Sequence, residues 1–261
     1  MNAPSNATLN IREGNQTFEM HYPNATDHQF KQVKKFGKFY DFRTLRYIAA
    51  VAKMKRFKVA YDVGTCFANH ALYFGAVLDC QVECFEPNAR LLPYITQNMS
   101  RRGVSYNLHN VALGDQQGFG ATSEVGDNLG SSKFVPEKDA SKSGQTTLTT
   151  LDDFITSQKL RDPDFIKIDT EGFECRILRG AGKLLRRAAP ELFVEISPEN
   201  EDEGKALLDE FGYSRVLFNK GKNYHYSRSL GMADRLSLTA SSLWIDAGAS
   251  LLKNAAELSG R

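Results

Sequence analysis

Val59-Ala60-Tyr61-Asp62-Val63-Gly64-Thr65-Cys66-Phe67-Ala68-Asn69 is the stretch on which the fold turns. The apolar run Phe57–Val63 has the length and β-branched and aromatic content of a buried strand, and Gly64 ends it. Asn69–Leu78 then carries apolar residues all round, as a packed helix would. Strand, glycine turn and helix open a βαβ unit. The pattern repeats downstream: strand Gln81–Phe85, helix Ala89–Arg101, and a third strand Tyr106–Leu113 ending at Gly114-Asp115. Strands and helices alternating at this pace build right-handed crossovers on a parallel sheet.

Residues 114–150 break the rhythm, being rich in Gly, Ser and Thr with short strands at Phe119–Glu124, Lys133–Pro136 and Gln145–Thr149. They read as a β insertion, about 116–149, in which Asn128-Leu129-Gly130-Ser131-Ser132 is either an acceptor loop or a plain turn. Alternation resumes with Thr150-x-x-Asp153 capping a short helix, strand Asp164–Ile168, helix Phe173–Arg187, strand Leu192–Ile196 and helix Glu199–Phe211. Ser214–Phe218 and Tyr224–Ser227 form an antiparallel terminal hairpin, Leu243–Ile245 an edge strand, and Ala249–Leu258 a closing helix. Upstream, residues 1–25 form an arm with one short strand near Phe18–Met20. Thr26-Asp27 caps a helical segment that Gly37 divides in two. The expected fold is α/β: a doubly wound, mostly parallel sheet with a helical N-terminal extension (1–56), a ligand-binding domain (57–228) and a C-terminal extension (229–261) packed on it.

Composition narrows the class. The chain has 261 residues, 41% of them hydrophobic, which suffices for a full core and excludes disorder or a disulfide scaffold. Its net charge of +2 conceals an asymmetry: ten cations against Asp41 between Lys31 and Lys58 make that segment +9 and the rest −7. Such a patch suits an anionic membrane surface, a glycan or nucleic acid, or is a solvated helix face. The four cysteines form no close-spaced pair and the five histidines are scattered, so neither a zinc cluster nor a disulfide framework is indicated. No signal peptide or membrane span is read, which points to the cytoplasm.

Ligands of a doubly wound sheet bind beyond the carboxyl ends of the strands. Gly64 lets a backbone approach a ligand closely, and Glu86 stands 24 residues after Asp62, where an acid can accept the hydroxyls of a ribose. Together they point to a nucleoside-containing cofactor, or else to an ordinary turn and a surface Glu. After Gly64 the next glycine is Gly75, so the G-x-G-x-x-G of dinucleotide sites is missing. Asp62 before the glycine suits a cationic ligand. S-adenosyl-L-methionine (SAM), which has a sulfonium and no phosphate, fits better than a dinucleotide.

The same positions carry a resemblance. Asp62-Val63-Gly64 running into Asn69-His70-Ala71-Leu72-Tyr73-Phe74, Phe85-Glu86-Pro87-Asn88, Asn110-Val111-Ala112-Leu113-Gly114-Asp115 and Ile166-Lys167-Ile168-Asp169-Thr170-Glu171-Gly172-Phe173-Glu174 occur in the order of the FkbM family of SAM-dependent methyltransferases. Thr150-Leu151-Asp152-Asp153 and Pro190-Glu191-Leu192-Phe193-Val194-Glu195 complete the pattern, so that residues 57–218 resemble the family. The resemblance implies a class I, Rossmann-like methyltransferase that O-methylates a hydroxyl of a sugar, glycolipid, polysaccharide or polyketide-like metabolite. One departure stands out. Cys66 replaces the usual Asn of the cofactor turn and Ala68 its second Gly, which predicts weaker SAM binding or a reshaped turn unless Ala68 keeps a negative φ.

The cofactor would lie against Asp62, Gly64, Cys66, Ala68, Asn69, Glu86, Pro87, Asn110, Ala112 and Asp169, with Asp115 close by. Asp169, Glu171 and Glu195 end two neighbouring strands and are the catalytic candidates, with His70; Asp169 is the first choice for base or cofactor-amine partner. Glu171 is equally suited to cap the helix after it, and Lys167 reads as a residue of the sheet surface. A divalent metal is conceivable among the carboxylates, but the spacing does not indicate one. Expected partners are a hydroxyl-bearing small molecule or glycan, a peripheral anionic membrane or glycan contact through Lys31–Lys58, and a second copy of the chain; nucleic acid is not expected. Two alternatives remain: a binding module that kept the fold and lost the cofactor, and a nucleic-acid methyltransferase, against which the Asn/Asp-Pro-Pro-aromatic motif is absent.

Overall fold

The computed structural model describes residues 7–100, 103–125, 128–137, 145–220, 222–242 and 245. The arm holds more structure than the single strand expected: β1 (Ala7–Glu13) and β2 (Gln16–Tyr22) pair antiparallel around Gly14, φ +57°. Asp27 caps α1 (His28–Phe36), its Oδ1 accepting from the Phe30 amide at 3.1 Å, and Gly37 ends that helix with φ +60°. After it comes α2 (Phe42–Lys55).

The alternating core follows as β3 (Val59–Val63), α3 (Asn69–Ala76), β4 (Gln81–Phe85), α4 (Leu92–Met99) and β5 (Tyr106–His109). Helix α4 starts later than its apolar pattern suggests, with Pro93 in its first turn, where a missing N–H costs nothing. The expected third strand divides: the chain turns at Asn110, and β6 (Ala112–Gly114) leaves the main sheet. The insertion supplies β7 (Gly118–Val125), β8 (Asn128–Glu137) and β9 (Thr146–Thr150), which with β6 make a four-stranded sheet in the order β6-β9-β7-β8.

Thr150 then caps α5 (Leu151–Gln158), accepting from the Asp153 amide at 3.1 Å, before β10 (Phe165–Ile168). The long helix expected over Phe173–Arg187 is two, α6 (Glu174–Gly180) and α7 (Gly182–Ala188). Gly180 lets α6 press on the second sheet: a Cβ there would lie 1.9 Å from the Gly114 carbonyl oxygen. The chain ends with β11 (Glu191–Glu195), a 3-10 turn at Pro198–Asn200, α8 (Glu201–Glu210), and the hairpin β12 (Ser214–Lys220) and β13 (Asn223–Ser227). Residues 232–242 are helical, as is Ile245 of the expected edge strand; Leu243, Trp244 and the expected closing helix Ala249–Leu258 lie outside the described residues.

The main sheet runs β12-β13-β11-β10-β3-β4-β5, parallel from β11 to β5 and antiparallel at the hairpin. The strand order reverses between β3 and β10, so the crevice beyond their carboxyl ends is the place for a ligand. All nine residues of these two strands are buried, so both faces need covering. Helices α5 to α8 cover one face through residues such as Ile155, Leu178, Leu185 and Leu208. The other face is covered by α3, α4 and also by the arm: Ile11, Phe18, Phe30 and Leu45 share one apolar cluster with Phe67 and Phe74. The arm is therefore part of the domain's core. This corrects the expectation of an appendage lying outside it.

A buried polar pin holds α2 to the far side of the sheet. The Tyr47 hydroxyl lies 2.9 Å from His225 Nδ1, and His225 Nε2 lies 2.8 Å from Glu191 Oε2, with Ser227 donating to the same carboxylate. The Tyr47→Phe variant leaves a buried ring nitrogen without its partner. Urea unfolding of that variant is expected to show a loss of about 1–3 kcal/mol in one transition, without a separate melting of the arm.

Candidate functional site

Several of the residues expected at the strand ends gather around one contact. Gly64 follows β3 with φ +85°, and a Cβ there would stand 1.8 Å from the Asp169 carbonyl oxygen that follows β10. Only glycine permits that approach. The turn continues left-handed at Cys66, φ +54°, and Ala68, φ +62°. The negative φ that would spare Ala68 is thus not adopted; the chain keeps a glycine-like turn at a strain of about 1–2 kcal/mol per such residue.

The turn borders a cleft. Its floor is Gly64, Thr65 and Cys66, and Glu86 and Pro87 stand at the end of β4. The Glu86 carboxylate accepts from the amides of Cys66 and Asn88, both at 2.9 Å, and burial pushes its carboxyl up to about 7 against the pull of those bonds. Asn110 does not line the cleft but donates to the carbonyls of Glu86 and Pro87 at 2.8 and 3.0 Å, fastening that turn. Val111, Ala112 and Leu113 form an apolar wall. Asp115 is elsewhere, paired with Arg176 at 2.8 Å.

Asp62 lies beneath the turn rather than in the cleft, and neither of its carboxylate oxygens has a hydrogen-bond partner. Its neighbour across the strands is Lys167, in register on β10. Lys167 is buried, not on the sheet surface, and its Nζ donates to Asp169 Oδ2 at 2.8 Å. Burial pulls the ammonium down, but Asp169 and Asp62 outweigh it and hold it above the ordinary lysine range. Asp169 and Glu195 border the same cleft, and burial together with the charge of Asp169 pushes the Glu195 carboxyl up to about 7. His70 also lines the cleft, with its Nε2 buried and unpartnered. Burial and then Lys167 push its pKa well down, so the ring is neutral. Asn69 borders the cleft as well, and its side chain bonds the amide and carbonyl of Tyr40 at 2.8 and 2.9 Å.

Glu171 reaches the cleft on a left-handed residue, φ +55°, but does not cap the next helix. No side chain caps that helix; Glu174, its first residue, instead fastens the preceding loop, its Oε1 accepting from the Thr170 and Gly172 amides and the Thr170 hydroxyl, all at 3.0 Å. The segment Asn128–Ser132 is neither turn nor free loop; it is the start of β8, and its Leu129, Gly130, Ser131 and Ser132 line the cleft, with Asn88 donating to Ser132 Oγ at 2.9 Å. Residues not foreseen are His28, Gln29 and Tyr40 of the arm. Gln29 Nε2 reaches Cys66 Sγ at 3.5 Å, which ties the arm to the turn. Among the described residues no group of three or more His, Cys, Asp or Glu is placed to hold a metal ion, and no helix is long and apolar enough to cross a membrane.

These residues fit SAM. The orphaned Asp62 carboxylate supplies negative potential beneath the turn for a cationic sulfonium and amine, Glu86 has lone pairs left for ribose hydroxyls, and the close Gly64–Asp169 contact leaves the cleft floor as bare backbone. Asp62 carries a stability cost with a definite pH dependence. Burial pushes its carboxyl up to about 7 from 3.8, so the folded state binds that proton more tightly than the unfolded chain does. Its contribution to stability is complete below about pH 4 and lost as pH rises through about 7. The Asp62→Asn variant is accordingly expected to melt about 2 °C or more above the wild type at pH 8, with the difference closing toward pH 4 in calorimetric scans.

Comparison with known proteins agrees with this geometry. The methyltransferase FkbM domain matches residues 62–226. No curated protein matches the chain significantly. Among solved structures, the chain is similar to methyltransferase FkbM from Methylobacillus flagellatus KT, at 18% identity and TM-score 0.46 over 65% of this chain and 43% of that one. It thus spans less than half the length of that protein. Similarity extends to precorrin-6y C5,15-methyltransferase from Geobacter metallireducens GS-15, at 13% identity and TM-score 0.41 over 72% and 85% of the two chains. It also extends to TrmK of M. capricolum in complex with S-adenosyl-homocysteine, at 11% identity and TM-score 0.35 over 65% and 60%. With more than half of its residues matched by that domain, the chain belongs to the FkbM family of SAM-dependent methyltransferases.

Proposed function

We propose that the chain O-methylates a hydroxyl of a sugar, glycolipid, polysaccharide or polyketide-like metabolite. The observation that carries this is Glu195: a carboxylate at the cleft whose carboxyl is pushed up to about 7 by burial and by Asp169. A hydroxyl must lose its proton as the new bond forms, and a base works best when its pKa lies near the working pH. SAM supplies a methyl group on a sulfonium, already a good electrophile. The protein's share is to bind, orient and exclude water.

In this mechanism Glu86 and the Gly64–Cys66 backbone bind the cofactor, and Asp62 adds its field from beneath. Lys167 fixes the Asp169 carboxylate, which then keeps the neighbouring Glu195 basic. Glu195 takes the proton. His70, neutral and with a free nitrogen lone pair or N–H at Nε2, orients the acceptor oxygen. Asp169, the first choice for the base from sequence, is in this account a positioning residue because Lys167 already occupies one of its oxygens.

A binding module without catalysis would bind S-adenosyl-homocysteine and transfer nothing. The test is a labelled-methyl transfer assay against lipid, polysaccharide and small-molecule fractions, with calorimetry of S-adenosyl-homocysteine beside it. The Glu195→Gln variant is expected to keep its cofactor affinity within twofold and lose roughly 10²–10⁴ in turnover. Wild-type transfer should fall below about pH 7, as Glu195 takes up a proton. In Asp169→Asn, which removes a like charge, that limb should move to lower pH. Full turnover by Glu195→Gln would reject it as the base.

A further inference from the structure

A second cavity adjoins the cleft and shares with it His28, Tyr40, His70, Asp169 and Glu195. The cofactor turn and Glu86 border the first cavity and not the second, so the groups proposed for proton removal stand between the two. Beyond that shared wall the second cavity is built mainly by the arm, from Phe36 and Gln32 of α1, Phe39 and Asp41, and Phe42 and Arg43 of α2. All of them precede residue 62, where the family domain begins. Lys222, between β12 and β13, completes it from the opposite side.

The charge of this compartment differs from that of the cleft. Arg43 and Lys222 border the second cavity only, and Asp41 is the one acid beyond the shared wall. Arg43 is half-buried and makes no hydrogen bond or ion pair among the described residues. A guanidinium that is partly dehydrated yet unpaired is a ready donor for a carboxylate or phosphate. Two further cations of the arm rest on aromatic rings of this lining: Lys35 Nζ lies 5.4 Å from the Phe36 ring centroid and the Arg46 guanidinium 5.7 Å from that of Phe42.

We infer that this second cavity is the acceptor site and that it takes a hydroxyl compound bearing a carboxylate or phosphate, the anion held by Arg43 and Lys222 and the hydroxyl directed to Glu195. This rests on the O-methylation proposed above and names its substrate class. The step balances: the carbon–sulfur bond of the donor breaks with its electron pair left on sulfur, the acceptor oxygen bonds the methyl carbon, and the hydroxyl proton passes to Glu195. The donor ends as a neutral thioether.

The test is calorimetric binding of three probes, D-glucuronate, D-glucose 6-phosphate and D-glucose, to the full-length protein with and without S-adenosyl-homocysteine. At least one anionic sugar is expected to bind tenfold or more tightly than glucose, and which of the two does so separates carboxylate from phosphate. Arg43→Gln should abolish that preference, and Lys222→Gln, at an exposed position, should reduce it at least threefold. Both variants should keep S-adenosyl-homocysteine affinity within twofold and the wild-type melting temperature. Absence of saturable anion binding, equal binding of glucose, or an undiminished preference in both variants overturns the assignment. Loss of S-adenosyl-homocysteine binding by the wild type would instead overturn the methyl-transfer proposal, and the anion series on the cofactor-free protein would still decide this one.

Discussion

The buried ammonium of Lys167 lies in register beside Asp62 and bonds Asp169 at 2.8 Å, at the point where the sheet reverses its order. Three carboxylates, Asp62, Asp169 and Glu195, act on it electrostatically, and it is the only cation of that buried set. Removing it would leave carboxylates in a poorly solvated space with only each other for company, an arrangement costing several kcal/mol. With it in place one acid is neutralised by direct pairing while the other two keep raised pKa values. The close packing of Gly64 on the Asp169 carbonyl then sets this charged group against the cleft floor. Geometry and proton affinity at the site thus share one origin.

Around that centre the cleft is divided between two parts of the chain. Residues within the family domain form the side of Gly64, Glu86 and Ala112, whereas α1, α2 and the segment between them form the side of Phe36, Tyr40 and Arg43. The basic segment that looked like an external docking arm places its apolar residues in the core and one of its cations, Arg43, in the lining of the second cavity. Lys31, Lys34, Lys35, Lys53, Arg56 and Lys58 remain exposed.

The sheet was legible because buried strands leave short, predominantly apolar runs, and those runs mark Val59–Val63, Gln81–Phe85 and Phe165–Ile168 within two residues although each holds a charged residue. The residues that follow these strands were legible for the same reason, Gly64, Glu86 and Asp169 among them. What escaped was set by contacts between distant positions. Nothing local says that Gln29 meets Cys66 or that Tyr40 meets Asn69, so the arm's share of the cleft carries no periodic signal. Lys167 sits in an apolar run whose alternation does not tell which face holds a partner. That Glu174 rather than Glu171 fastens the loop after β10 goes with a left-handed backbone at Glu171 that the residue type disfavours, although Gly172 beside it was a clue.

The pin between Tyr47 and His225 joins residues 178 positions apart. During synthesis at about 5–20 residues per second, the arm leaves the ribosome roughly ten to forty seconds before its partner strand exists. For that interval Leu45, Ile48 and Val51 of α2 have no sheet to cover. The nascent chain therefore carries an amphipathic, strongly basic helix out of the ribosome before the sheet exists. The exposed cations of the finished fold keep that early segment soluble, so the charge asymmetry of the sequence serves the unfinished chain as well.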